Sequence, residues 1–182
     1  AGGFAGWYPV LKAMEESGRV RRGYFVAGLG AAQFAAPGAS ERLREPQDEQ
    51  EAGELALVLA ATDPANPYGS ALPWPAKEEI NARPQRAAGA RVVLSQGSLI
   101  GYLGRTGQQL LTFLPDTEPQ RSVARETLAR TLASAAAPGS PVFLTKIDGS
   151  PAGASDLADA LIHAGFTPTS RGLLHRGGPQ AK

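Results

Sequence analysis

Three arginines, Arg19, Arg21 and Arg22, stand close together in the otherwise apolar stretch GRVRRGYFVAGL. A guanidinium is a permanent cation whose rigid fork of donors matches a carboxylate or a phosphate. Three readings therefore compete. The side chains pair with Glu15 or Glu16, or they guard a solvated strand edge. Alternatively they grip phosphates at the base of a hairpin, with Lys12 and Arg105 as further basic candidates. Tyr24, Phe25 and Phe34 lie near enough in sequence to stack on bases. Each phosphate neutralised releases about one counterion, so the third reading carries a salt dependence.

A rival chemistry rests on carboxylates. Asp63, Asp148, Asp156 and Asp159 are the candidates for acid or base work. Asp63 lies in TDPANPYGSALPWP beside Tyr68 and Trp74, aromatic residues able to stack on an extruded base, so a base-excision pocket with Asp63 as its acid is the alternative. Asp-Pro turn chemistry accounts for Asp63 without catalysis. Asp148 opens an Asp-Gly pair and reads as a turn former. His163 falls late in a helix, where the dipole favours an imidazolium, and His175 reads as solvated beside Arg176. With no cysteine and no His/Asp/Glu cluster at ligand spacing, no metal site is expected. There is no GxxxxGK[ST], and Gly28, Gly30 and Gln33 spell only a broken G-x-G-x-x-G, so no nucleotide-binding loop or bound cofactor is expected either.

The bulk numbers set limits on these readings. With 182 residues and a net charge of +1, nucleic-acid contact has to come from local patches rather than a global field. Gly 22 and Pro 15 imply many turns. No apolar run approaches the roughly 20 residues needed to cross a bilayer, and no signal peptide is visible, so a cytoplasmic chain without a membrane partner is expected. The opening AGGFAGWYP lacks an initiator methionine, so a piece of a longer polypeptide or a processed chain is expected.

Local patterns then say which elements hold the candidates. PVLKAMEESG reads as a short helix with Pro9 at its first position and Gly18 as a left-handed stop. RVRRGYFVAGL reads as a strand, with Val20, Arg22, Tyr24 and Val26 on one face and Arg21, Phe25, Ala27 and Leu29 on the other. A glycine turn, a short strand QFA and a helix start in PGASERLRE follow. Helix, strand, turn and strand in that order is how a winged helix ends. After the acidic connection 45–54, LALVLA is a buried strand, and 62–75 is an irregular Pro-rich loop. RVVLS, LIGYLGR and QLLTFL form an antiparallel meander. A helix follows TEPQ, where Thr117 and Gln120 spell a capping box. PVFLTKIDG is another strand, Ser155 caps a helix over DLADALIHAG, and GLLHR is a last strand. The expected fold class is α+β: a winged-helix remnant over 1–53, a β-barrel-like meander with packed helices over 54–176, and a tail at 177–182.

Four collinear blocks carry a resemblance. GRVRRGYFVAGLGAAQFAAPGASERLRE, LVLAATDPANPYGSALPWP, GARVVLSQGSLIGYLGRTGQQLLTFLP and LTKIDGSPAGASDLADALIHAGFTPTSRGLLHR together resemble the C-terminal region of the large helicase-related (Lhr) proteins, superfamily-2 ATP-dependent bacterial DNA helicases. The resemblance implies winged-helix modules closed by a β-barrel-like unit, similar in architecture to the AlkZ/YcaQ-type DNA glycosylases. It implies ATP and magnesium in motor domains of the parent protein, with no counterpart of the Walker residues here. It also implies DNA, single-stranded or duplex, as partner, with the upstream helicase core as another, and a role in DNA repair. A third expectation is purely structural, with the barrel-like unit holding copies of the chain together or bracing the winged helices. Some of these regions are associated with uracil removal. The acid proposed for that step lies near the family chain's end, where HRGGPQAK holds no carboxylate.

Overall fold

In the computed structural model the described residues are 3–26, 29–30, 32–45, 56–77 and 83–177. The chain divides into two compact units, Ala1–Asp48 and Glu49–Lys182. The expected acidic linker lies almost wholly outside the described residues, as do Ala27 and Gly28, residues 78–82 and the tail from 178.

The first unit begins with α1 (Phe4–Glu16), a helix that starts earlier than expected. Pro9 therefore sits inside it, where its missing N–H deprives the Ala5 carbonyl of a helical donor. No residue of α1 is buried, so water reaches that carbonyl. The end follows the glycine rule closely. Gly18 adopts φ 73°, its N–H bonds Glu15 O at 3.0 Å, and the Arg19 N–H bonds Met14 O at 2.8 Å, the paired closure of a Schellman motif.

Strands β1 (Arg21–Gly23) and β2 (Gln33–Ala35) form a two-stranded antiparallel ribbon, with Arg21 opposite Ala35 and Arg22 opposite Phe34. The long strand expected over 19–29 is thus three residues long. The physical reason is the Gln33 side chain. Its Oε1 accepts the N–H groups of Phe25 and Val26 at 3.0 and 2.8 Å, and its Nε2 donates to Val26 O and Gly30 O at 2.9 and 2.8 Å. A side chain takes the place of the next ladder bonds. Helix α2 (Ala39–Arg44) follows Gly38, at φ 82°.

The second unit holds a six-stranded sheet in the order β3-β4-β5-β6-β8-β9 and a three-stranded sheet β10-β11-β7. Its elements are β3 (Ala56–Ala60), β4 (Arg91–Ser95), β5 (Ser98–Leu103), β6 (Gln109–Thr112), α3 (Gln120–Ser134), β7 (Val142–Leu144), β8 (Lys146–Ile147), β9 (Ser150–Pro151), a 3-10 turn (Ala152–Ala154), α4 (Ala158–His163), β10 (Thr167–Thr169) and β11 (Gly172–His175). The expected meander is β4–β5–β6, antiparallel throughout. Both of its faces are covered. Val93, Ile100 and Leu110 pack with Leu128 and Leu132 of α3, while Val92, Leu94, Tyr102 and Leu111 pack beneath Tyr68 and Trp74. Close approach of α3 requires Gly101, where an added Cβ would lie 2.8 Å from Leu128 Cδ1.

One expectation stays unconfirmed: among the described residues no ladder joins β3 to β9, and no closed barrel is found. Three others are corrected. As an edge, β3 is half-buried, with Leu57 54% exposed. PVFLTKIDG is not one strand. The chain bends at Thr145, whose N–H and hydroxyl both bond Gln108 O at 2.8 and 3.2 Å, and it passes from β7 in one sheet to β8, parallel to β6, in the other. Helix α3 is capped by Glu118, which accepts the Ser122 N–H at 3.1 Å, rather than by Thr117. Its start falls later than the Thr117 spelling implies. β10 escapes the sequence pattern because it is short and contains Pro168, tolerated there at a sheet edge. No helix among the described residues is long and apolar enough to cross a membrane.

Candidate nucleic-acid interface

Alternation along β1 separates the two adjacent arginines. Arg22 turns toward α1, where its Nε lies 3.4 Å from Glu15 Oε1 and its Nη1 donates to Tyr8 OH at 3.4 Å. Arg21 turns toward α2, 3.6 Å from Glu41 Oε1. Lys12 pairs with Glu16 at 4.0 Å along α1. Arg19, just past the helix end, has no ion pair among the described residues and is exposed. Local pairing with acids is therefore a real part of the answer for Arg21, Arg22 and Lys12.

These pairs are weak. In the Arg21–Glu41 pair the side chains are 70% and 57% exposed, a setting in which ion pairs contribute little. The Glu41 carboxyl lies below its ordinary value chiefly through its own backbone N–H and then the Ser40 hydroxyl, with Arg21 a lesser cause. Arg21 is thus loosely held and available to a stronger anion.

Arg21 and Arg22 line one recess of about 390 Å³ with Arg44, Leu43, Tyr24 and Phe25. Tyr24 is 80% exposed. Arg44, at the end of α2, is the member that strand periodicity could not supply. Its signal in the sequence is the basic last turn of a short helix. Arg19 and Lys12 do not line the recess, and Arg105 belongs to the second unit, at the tip of the exposed turn between β5 and β6.

In the second unit, Asp63 is a turn former. Its Oδ1 accepts the Ala65 N–H at 2.8 Å. The Arg86 guanidinium organises the whole loop, donating to the carbonyls of Thr62, Asp63 and Asn66 at 3.1, 3.0 and 2.7 Å. Tyr68 and Trp74 stack on one another at 6.2 Å, and the Tyr68 hydroxyl accepts the Leu99 N–H at 3.1 Å.

A polar recess of about 890 Å³ does exist nearby, lined by Tyr68, Lys77, Phe113, Asp148 and Asp156 among others, but not by Asp63. Asp148 sits at φ 52° ahead of Gly149 at φ 82°, the paired left-handed conformation of a type I′ hairpin turn, here between β8 and β9. Its carboxylate also accepts the Thr112 N–H and hydroxyl at 2.8 and 2.6 Å and meets Lys77 Nζ at 2.7 Å. Asp156 pairs with Arg121 at 2.8 Å. The hydrogen bond from Arg121 is the main reason its carboxyl lies below the usual aspartate value. His163 is exposed at the end of α4. His175 is not merely solvated: its ring packs on Phe166 at 5.1 Å and its Nδ1 accepts the Gly177 N–H at 3.2 Å.

Comparison with known proteins places this geometry. Residues 1–55 match the family model described as "Large helicase-related protein, winged-helix domain". A Mycolicibacterium smegmatis protein named "Lhr helicase/ probable uracil glycosylase" is 43% identical over 185 residues, covering 96% of this chain and 12% of that protein. An Escherichia coli protein named "Lhr helicase/uracil glycosylase" is 38% identical over 175 residues, covering 94% of this chain and 11% of its own length. The chain thus spans a small part of the relatives it matches.

Proposed function

Because the chain belongs to the large helicase-related family and corresponds to a C-terminal region of an Lhr helicase, we propose that it is a nucleic-acid-binding module, without a motor of its own, of a 3′-to-5′ DNA helicase engaged in DNA repair. The observation that carries this reading is the recess in which Arg21, Arg22 and Arg44 meet the exposed Tyr24. Guanidinium groups would take phosphates, and a solvated aromatic ring would take a base face. Arg19, with no ion pair among the described residues, would extend the basic rim. The reading assigns no ATP or magnesium ligand to this chain. The upstream helicase core would be its partner within the same polypeptide.

The test is binding of single-stranded and duplex DNA across a salt series. Replacing Arg19, Arg21 and Arg22 together by alanine is expected to weaken binding at least tenfold in about 50 mM salt and to reduce the salt slope by about 2. Unchanged affinity and slope would show that the wing is not the DNA surface.

A second reading, base excision, is favoured by the names of both relatives and by the polar recess of the second unit. There Asp156, kept anionic by Arg121, would stabilise positive charge developing on the sugar as a base departs. Asp63 is committed to its turn. Alkali-labile breaks in uracil-containing DNA should then disappear with Asp156→Asn and persist with Asp63→Asn. Intact DNA after treatment with the native chain would retire this reading.

A further inference from the structure

The second unit carries a different basic recess, of about 490 Å³, where the turn between β5 and β6 meets the loop before β4 and the start of β7. Arg91 opens β4, and Arg105 projects from the turn; both are exposed. In the strand register Arg91 stands opposite Leu103, two residues before Arg105, so the same end of the β4–β5 pair presents both cations. Phe143 of β7 lines the same recess, and the Arg171 guanidinium stands over its ring at 5.9 Å. Among the described residues no carboxylate lines the recess. Among the described residues Arg91, Arg105 and Arg171 form no ion pair. In a chain whose net charge is only +1, two lining arginines, with Arg171 on the Phe143 ring beside them, make a local positive field that composition conceals.

The rim is also rigid. Gly89, at φ 84°, lies against the turn so closely that a Cβ there would sit 2.8 Å from Arg105 O. The turn is closed by Gly104 N–H to Gln109 O at 2.9 Å and Gly107 N–H to Gly104 O at 2.8 Å. Gln108 O is fixed by the Thr145 N–H and hydroxyl. Cations on a fixed rim bind an anion without first ordering their backbone.

We propose that this recess is a second phosphate-binding site, independent of the wing, which takes the sugar–phosphate chain of a nucleic-acid strand. The fork of each arginine suits two phosphate oxygens. The hydroxyls of Thr106 and Ser140, also in the lining, are neutral donors of the kind that position a backbone. The inference stands whether or not the wing binds DNA.

The test uses the 182-residue chain and a fluorescein-labelled thymidine oligonucleotide of about 20 bases, titrated at several salt concentrations. Replacing Arg91 and Arg105 together by glutamine is expected to weaken binding at least fivefold and to lower the salt slope by about 1.4, at roughly 0.7 per single-strand phosphate contact. The loss should multiply with that of the wing variant. A recess variant with native affinity and slope overturns the proposal even if the wing variant is impaired. A weakened recess variant beside a silent wing variant sustains it while removing the wing reading. Polyglutamate that displaces the oligonucleotide more effectively than unlabelled thymidine oligonucleotide does would assign the recess to an acidic peptide and overturn it. Should the glutamine variant lose its thermal transition, photo-crosslinking of 4-thiothymidine DNA to the native chain decides. Adducts within residues 103–109 or 140–146 support the site, and adducts confined to 19–44 refute it.

Discussion

The arginines of the β1–β2 ribbon and those at the rim between β4, β5 and β7 are held in opposite ways. On the wing, Arg21 and Arg22 each meet a glutamate, and no residue of the flanking helices α1 and α2 is buried. At that rim, Arg91 at the start of β4 and Arg105 in the turn after β5 meet no acid among the described residues, and the strands beside them are largely buried. A two-stranded ribbon has little packing to hold its shape, and here a glutamine side chain and weak ion pairs do part of that work. A packed scaffold holds its shape by apolar burial and does not need the cations on this rim to be paired. The lesson is that clustering in sequence and availability to a ligand are separate properties. The tightest arginine cluster of the chain is the partly neutralised one.

The contrast in packing yields the largest expected effect. Leu128 is 0% exposed and fills the space above Gly101, whereas Leu43 is 67% exposed. Leu128→Ala should cost about 3 kcal/mol, and Leu43→Ala no more than about 0.5 kcal/mol. Urea denaturation followed by Trp74 fluorescence in a Trp7→Phe background measures the first, Trp7 fluorescence in a Trp74→Phe background measures the second in its own unit, and equal losses would break the comparison. Next comes the polar network of the second unit. Asp148→Ala strands the Lys77 ammonium and two Thr112 donors at a site where the paired side chains are only 27% and 24% exposed, for an expected cost of about 2 kcal/mol. Asp148→Asn should recover part of it, since asparagine tolerates the φ of 52°. Truncating Glu41 on the wing should leave the unfolding midpoint in place. A wing as sensitive as the network would show that its ion pairs are structural after all.

The smallest effect concerns pH. The Asp156 carboxyl lies below its usual value when folded, chiefly because of the hydrogen bond from Arg121. Its contribution is therefore complete above the unfolded aspartate value of about 4 and is lost as pH falls through the lower folded one. The two side chains are 36% and 53% exposed, so screening keeps the stake to a few tenths of a kcal/mol. Native chain and Asp156→Asn should differ slightly in thermal midpoint at pH 7 and converge in acid. A gap that persists at low pH would mean that packing, rather than charge, links α3 to the segment before α4.

Local chemistry was legible without coordinates. Gly18 ends its helix, Asp148 and Gly149 turn their hairpin, and the β4–β5–β6 meander follows the apolar runs. Each depends on residues a few positions apart. What tertiary structure alone decided involves partners distant in the chain. Thr145 answers to Gln108 and thereby sends one apolar run into two sheets. Arg86 reaches back to the carbonyls of 62–68 and commits Asp63 to a turn. Glu41, well beyond the ribbon, claims Arg21, while Arg91 and Arg105 share a rim with Phe143. A short segment determines its own backbone torsions, because sterics and capping act within one turn. Whether a charge is neutralised or left available depends on which distant segments fold against it, and no local pattern encodes that.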